Sequence, residues 1–164
     1  MTFFSIKKLT KDKYYPILID EEGGEVSRLK NIINNKLFSQ KYFGDIYEVD
    51  SKIGIGLYKL YINELCAILN SLGININTVP VLDVKRKVTS KVIGSRSYSS
   101  NPKIVSKLGQ FCISSFHTNG IGTVIKHIPG HGLAKVDSHK MLPIVSQQQR
   151  LLSKIDFLPF KNKP

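Results

Sequence analysis

Three apolar runs, each closing on charged or polar residues, set the fold that this chain can reach: residues 16–20 (PILID), 75–83 (NINTVPVLD) and 122–127 (GTVIKH). None alternates strictly between apolar and polar positions, as a strand wetted on one face would. All three read as buried strands, the habit of parallel sheets. Helical patterns fall between them. Leu57, Tyr61, Leu65, Ile68 and Leu72 recur at helical spacing and stop at Gly73. A second pattern has Asn101 as N-cap, Pro102 at the first helical position, and an apolar face of Ile104, Val105, Leu108, Phe111, Cys112, Ser115 and Phe116. Gly120 stands where a helix-terminating glycine belongs. Strand, helix, strand, helix, strand in that order calls for right-handed crossovers. It predicts an α/β fold, either a doubly wound sheet or a barrel.

Polar residues gather at the carboxyl end of each run: Asp20, Glu21, Glu22, Gly23 and Gly24 after the first, Asp83 after the second, Lys126 and His127 at the third. In parallel α/β folds that edge is where ligands bind, so the site is placed before it is named. The length of 164 residues, 41% hydrophobic, suits one domain spanning 1–164, with no internal repeat or low-complexity linker. A net charge of +12 invites a nucleic-acid reading. The lysines, however, are scattered through every element, without an Arg-rich stripe or an aromatic-basic repeat, so no nucleic-acid partner is expected. No run approaches the roughly 18 apolar residues of a membrane span. Lys7, Lys8, Lys11 and Lys13 interrupt the N-terminus where a signal peptide would be continuous. Cys66 and Cys112 lie in apolar helical patterns and read as buried free thiols, which points to a reducing, cytoplasmic setting without a membrane partner.

The densest chemistry lies in residues 126–143, KHIPGHGLAKVDSHKMLP, where His127, His131, His139, Lys126 and Asp137 are folded together by Pro129, Gly130 and Gly132. One reading is a zinc shell from His127, His131, Asp137 and His139. Two histidines four apart face one way only on a helix, and Pro129-Gly130 opposes a helix there.

Four segments, in order, carry a resemblance: DEEGGEVSRL from Asp20, NTVPVLD from Asn77, GSRSY from Gly94, and KHIPGHG followed by DSH. Together they resemble the signatures of bacterial family 3 glycoside hydrolases of the β-N-acetylhexosaminidase type, over roughly residues 15–160. That resemblance implies part of a (β/α)8 TIM barrel, parallel strands alternating with helices. It also implies a retaining glycosidase that removes terminal N-acetylglucosamine from cell-wall muropeptides in peptidoglycan recycling, with no cofactor and no metal. The general acid/base falls on His139, supported by Asp137. The sugar contacts fall on Asp20, Arg28, Arg96, Lys126 and His127. Gly23 and Gly24 are expected to meet backbone requirements, and Asp83 to be structural. A histidine titrating near neutrality can protonate a departing sugar oxygen and later deprotonate water, with the carboxylate stabilising the imidazolium.

A retaining glycosidase also needs a nucleophilic carboxylate, which in this family follows the DSH loop on a later strand. The sequence is expected to stop at Pro164 before that residue, and Asp156 is not expected to replace it. Against the ~250 residues usual for such a barrel, a barrel that cannot close is expected. An inactive remnant and assembly with a second chain that supplies the missing strands are the two outcomes. A zinc hydrolase and a basic nucleic-acid-binding module are the competing classes.

Overall fold

The computed structural model describes residues 3–137 and 140–161. Its elements run α1 (Phe3–Thr10), β1 (Leu18–Ile19), α2 (Gln40–Val49), α3 (Ser51–Leu72), β2 (Ile76–Asn77), α4 (Pro102–Thr118), β3 (Gly122–Thr123) and α5 (Gln149–Lys154), with 3-10 turns at Gly94–Arg96 and Leu158–Phe160. The strands form one parallel sheet in the order β1-β2-β3. Each strand neighbours the next in sequence, as in a barrel; a doubly wound sheet would place a switch point between neighbours.

The hydrogen-bonded ladders are shorter than the apolar runs. Leu18 pairs with Ile76, Ile19 with Asn77, Ile76 with Gly122 and Asn77 with Thr123, and a separate bridge joins Val81 to Lys126. Side-chain amides replace the ladder at both ends. Asn75 Oδ1 accepts from Ile17 N at 2.8 Å, while Asn77 accepts from Glu21 N at 3.0 Å and donates to Glu21 O at 2.8 Å. Pro80, which has no N–H, interrupts what would otherwise be a continuous second strand.

Both predicted helices form. Asn101 Oδ1 accepts from Lys103 N at 3.0 Å, which caps α4 beside Pro102. Asp50 accepts from Lys52 N and Ile53 N and caps α3, which ends at Gly73 in the left-handed region (φ 80°). The buried stripe of α3 differs from the expected one. Tyr58, Ile62, Cys66 and Leu69 turn inward with Leu65; Tyr61, Ile68 and Leu72 are partly buried against the same core, and Leu57 is 40% exposed. Helix α2, which the periodicity did not reveal, packs along α3, and its Phe43 lies against both Tyr58 and Tyr61, with ring centroids 4.3 and 5.1 Å away. Both cysteines are buried, free thiols among Tyr58, Tyr98 and the α3 and α4 leucines, and burial pushes each thiol up to about 12.

Strand alternation divides the molecule. Ile17 and Ile19, with Ile121 and Ile125, turn toward α3 and α4 and join the core. Leu18, Asp20, Thr78, Val124 and Lys126 turn the other way, and Leu18 and Val124 are 54% and 42% exposed. The expectation of strands buried on both faces therefore holds for the helix side only among the described residues. The opposite side carries the polar strand ends.

Candidate active site at the strand ends

Three successive strand ends deliver the polar residues to one cavity of about 410 Å³, lined by Asp20, Thr78, Arg96, Lys126, His127 and His131 with Val92, Ile93 and Val124. Asp20 leaves β1, Thr78 leaves β2, and Lys126 follows β3. Asp20 accepts hydrogen bonds from Lys126 Nζ and Thr78 Oγ1, and Lys126 Nζ donates to Thr78 Oγ1 at 2.9 Å. Burial works to raise the Asp20 pKa, but those two hydrogen bonds and the charges of Lys126 and Arg28 outweigh it and hold the carboxyl below its ordinary value. Arg28 Nη2 reaches Asp20 at 3.7 Å from an exposed position, at the rim of the site.

Behind this layer sits Glu22, with 1% of its side chain exposed. Its carboxylate accepts from Arg96 Nε at 2.7 Å and Arg96 Nη2 at 2.8 Å, and pairs with Lys126 Nζ at 2.6 Å. One buried anion thus orients both cations. For Arg96, burial works to lower its pKa, yet the bonds and charge of Glu22 raise it above the ordinary value, so the guanidinium is a fixed charge. Arg96 Nη2 also lies 3.3 Å from His127 Nε2, and His127 Nδ1 lies 2.6 Å from Asp83 Oδ2. A guanidinium only donates and an ionised carboxylate only accepts, so the contacts select the tautomer with hydrogen on Nδ1 and Nε2 as acceptor. Asp83 is fully buried, and its other oxygen accepts from the backbone N of His131 at 2.6 Å.

The local sequence accounts for this placement. After β1 the chain turns at Gly23 (φ +81°), where a Cβ would fall 2.3 Å from Phe38 O, so the two glycines serve the backbone as expected. Glu21, on the opposite side from Asp20 and Glu22, is fully buried. It accepts from Arg28 N, Leu29 N and Asn35 Nδ2 at 2.6–2.9 Å, which folds the segment bearing Arg28 back toward Asp20. Gln40, buried at the start of α2, donates to Val81 O at 2.9 Å and Arg96 O at 2.7 Å and accepts from Val81 N at 2.9 Å. It ties the second strand run to the turn that carries Arg96.

Asp20, Arg96, Lys126 and His127 are thus brought together at one edge, and Arg28 reaches its rim. Asp137 is half-buried on the loop that follows, does not line the cavity, and offers its carbonyl to Lys140 N and Met141 N, both at 3.0 Å. His139 lies outside the described residues. Sequence reasoning placed Glu22 at this edge without giving it a role, and missed Thr78 and Gln40. The alternation of Asp20, Glu21 and Glu22 past a strand end was the signal for Glu22; nothing local marks Gln40. Among the described residues no three His, Cys, Asp or Glu side chains gather as a metal shell requires, and His127 spends both ring nitrogens on Asp83 and Arg96.

Comparison with known proteins is consistent with this geometry. The glycosyl hydrolase family 3 N terminal domain matches residues 9–163. Beta-hexosaminidase A of Pseudoalteromonas piscicida is 38% identical over 151 residues, which cover 88% of this chain and 24% of that protein. Beta-hexosaminidase of Aromatoleum aromaticum is 30% identical over 147 residues, 90% of this chain and 41% of the relative. The chain therefore spans less than half the length of these relatives. The crystal structure of NagZ from Neisseria gonorrhoeae in complex with N-trifluoroacetyl-D-glucosamine superposes with a TM-score of 0.84 at 30% identity, covering 96% of this chain and 46% of the other.

Proposed function

Because this chain belongs to glycosyl hydrolase family 3, we propose that it forms the sugar-gripping part of a retaining β-N-acetylhexosaminidase acting on terminal N-acetylglucosamine of cell-wall muropeptides, in peptidoglycan recycling in the cytoplasm. The observation that carries this reading is the continuous chain of charge-assisted contacts from Asp20 through Lys126, Glu22 and Arg96 to His127 and Asp83 along one strand-end cavity. A pyranose ring presents neighbouring hydroxyls that both donate and accept. Asp20, kept ionised, accepts from two of them, and Lys126 and Arg96, held by Glu22, donate to others. His127 adds a directional polar wall, because Asp83 fixes the ring. No helix among the described residues is long and apolar enough to cross a membrane.

In this reading Asp137 and His139 are the acid/base pair, delivered by the loop that leaves His127. The imidazolium protonates the departing oxygen, and the imidazole then takes a proton from water. The reaction further needs a carboxylate to capture the anomeric carbon from the opposite face of the sugar. Asp20, Glu22 and Asp83 are each committed to cations or to His127, and the last two are buried, so the proposal assigns the nucleophile to none of them. The 164-residue polypeptide by itself is then expected to bind N-acetylglucosamine weakly and not to turn over. A chain that supplies the complementary barrel strands is the partner that would restore activity. The test is a chromogenic N-acetylglucosaminide assay on the chain alone and mixed with such a partner, alongside calorimetric binding of N-acetylglucosamine to wild type and Lys126→Ala. Turnover by the chain alone, abolished by His139→Ala, would overturn this and direct the search for a nucleophile to Glu22 or Asp83. Equal binding by Lys126→Ala would remove the sugar site.

A further inference from the structure

Thr78 follows directly on β2, the middle strand of the sheet, and so stands between the outer strands that lead to Asp20 and Lys126. Its backbone is held on both sides: Thr78 N donates to Ile19 O at 2.9 Å, and Val124 N donates to Asn77 O at 3.1 Å. Strand alternation turns the side chain to the cavity face. There one hydroxyl makes two contacts of opposite sense. Thr78 Oγ1 donates to Asp20 Oδ1 and accepts from Lys126 Nζ at 2.9 Å, and the same ammonium donates to the same Oδ1. A β-branched side chain has few χ1 rotamers, which makes this bridge stiff. The two oxygens of Asp20 are thereby made unequal. An ionised carboxylate offers about four lone-pair sites, two on each oxygen. Oδ1 spends both of its sites on Thr78 and Lys126, whereas Oδ2 accepts no hydrogen bond among the described residues and has only the rim guanidinium of Arg28, 3.7 Å away.

We infer that Thr78 is a positioning residue for the sugar: it turns Oδ1 of Asp20 to the protein and leaves Oδ2 as the oxygen that accepts from two neighbouring sugar hydroxyls. The inference rests on the sugar-site reading above and adds to it which edge of the carboxylate takes the ligand. The terminal torsion of an aspartate is broad, so Lys126 alone fixes one point about which the carboxylate can turn. The Thr78 hydroxyl supplies the second point. Without it the sugar itself has to order the carboxylate, and that ordering is subtracted from the affinity. The same hydrogen bond, with those and the charges of Lys126 and Arg28, favours the ionised form of Asp20 against its burial.

The test uses the full 164-residue chain and three variants: Thr78→Val, which keeps the shape and removes the hydroxyl, Thr78→Ala, a second hydroxyl-free form should the valine variant not fold, and Thr78→Ser, which retains the hydroxyl. The calorimetric Kd for N-acetylglucosamine is expected to rise about tenfold in Thr78→Val and Thr78→Ala and to stay within about threefold of wild type in Thr78→Ser. The Asp20 carboxyl is followed in parallel by carbon nuclear magnetic resonance through an acid titration of the sugar-free chain. Its midpoint is expected below 3.8 in wild type, to move up toward that value in the two hydroxyl-free variants, and to return in Thr78→Ser. A threonine that only packed the strand end would leave this titration unmoved. Binding within about twofold of wild type in the hydroxyl-free variants, an unmoved Asp20 midpoint, or a loss in Thr78→Ser equal to that in Thr78→Val overturns the inference. Should the wild-type chain bind no N-acetylglucosamine, the sugar-site reading falls, while the titration, made without sugar, still decides whether Thr78 holds Asp20.

Discussion

Glu22→Gln is the substitution that most directly probes how the site is held together. The change conserves volume but replaces one carboxylate oxygen by an NH2 group and removes the buried charge that faces two cations. Arg96 and Lys126 have only 16% and 15% of their side chains exposed, so water cannot take over the role of the anion. Removing one partner of a buried ion pair costs about 3–5 kcal/mol. Lys126 keeps Asp20, and Arg96 keeps the Val92 carbonyl, which places the expected loss near the lower end, about 3 kcal/mol. Asp20→Asn supplies the contrast, because Asp20 is 42% exposed. Its loss should cost about 1 kcal/mol or less. For a chain of this size the Glu22 variant should melt roughly 6–12 °C lower. Urea unfolding measures both variants, and an unchanged m-value would confirm that the denatured state is the same. A double-mutant cycle of Glu22→Gln with Arg96→Met should give a coupling of about 0.5–3 kcal/mol. A Glu22→Gln loss under about 0.5 kcal/mol, or one equal to that of Asp20→Asn, would refute the argument that a single buried anion organises the cations.

Three further outcomes follow from the same structure. The Asp20 pKa is depressed below 3.8, so its stabilising contacts are fully present above that value and are lost as pH falls through the lower folded one. Sugar binding should therefore hold from neutral pH to about 4 and weaken only below, and a loss of binding centred well above 3.8 that disappears in Asp20→Asn would contradict this. Gly44→Ala should destabilise by about 1–3 kcal/mol, because its Cβ would meet Tyr98 O at 1.9 Å, close to the turn bearing Arg96. Gly56→Ala on α3, with nothing within 4 Å, should stabilise by about 0.5–1 kcal/mol in the same unfolding assay.

The local framework was legible in the order of residues alone. Helix ends at Asn101 with Pro102 and at Gly73 were legible because capping is decided within one turn of chain. The runs at residues 16–20, 75–83 and 122–127 announced parallel strands because continuous apolar stretches fit few other places in a small domain. The edge holding Asp20, Lys126 and His127 followed from where the apolar runs end. Relations between segments far apart in the chain emerged only from the packed molecule. The ladders shrank to two residues because Asn75 and Asn77 amides and Pro80 displaced backbone pairing. The buried face of α3 widened to take in Tyr58, Ile62, Cys66 and Leu69, because both α2 and α4 pack against it. Glu22, which is 74 residues from Arg96, and Gln40, which is 41 from Val81, acquired their roles from crossovers that bring strand ends together. Periodicity and capping act over one turn or one strand, whereas the pairing of a buried anion with its cations depends on which loops share an edge, and that is fixed only when the sheet and its helices pack.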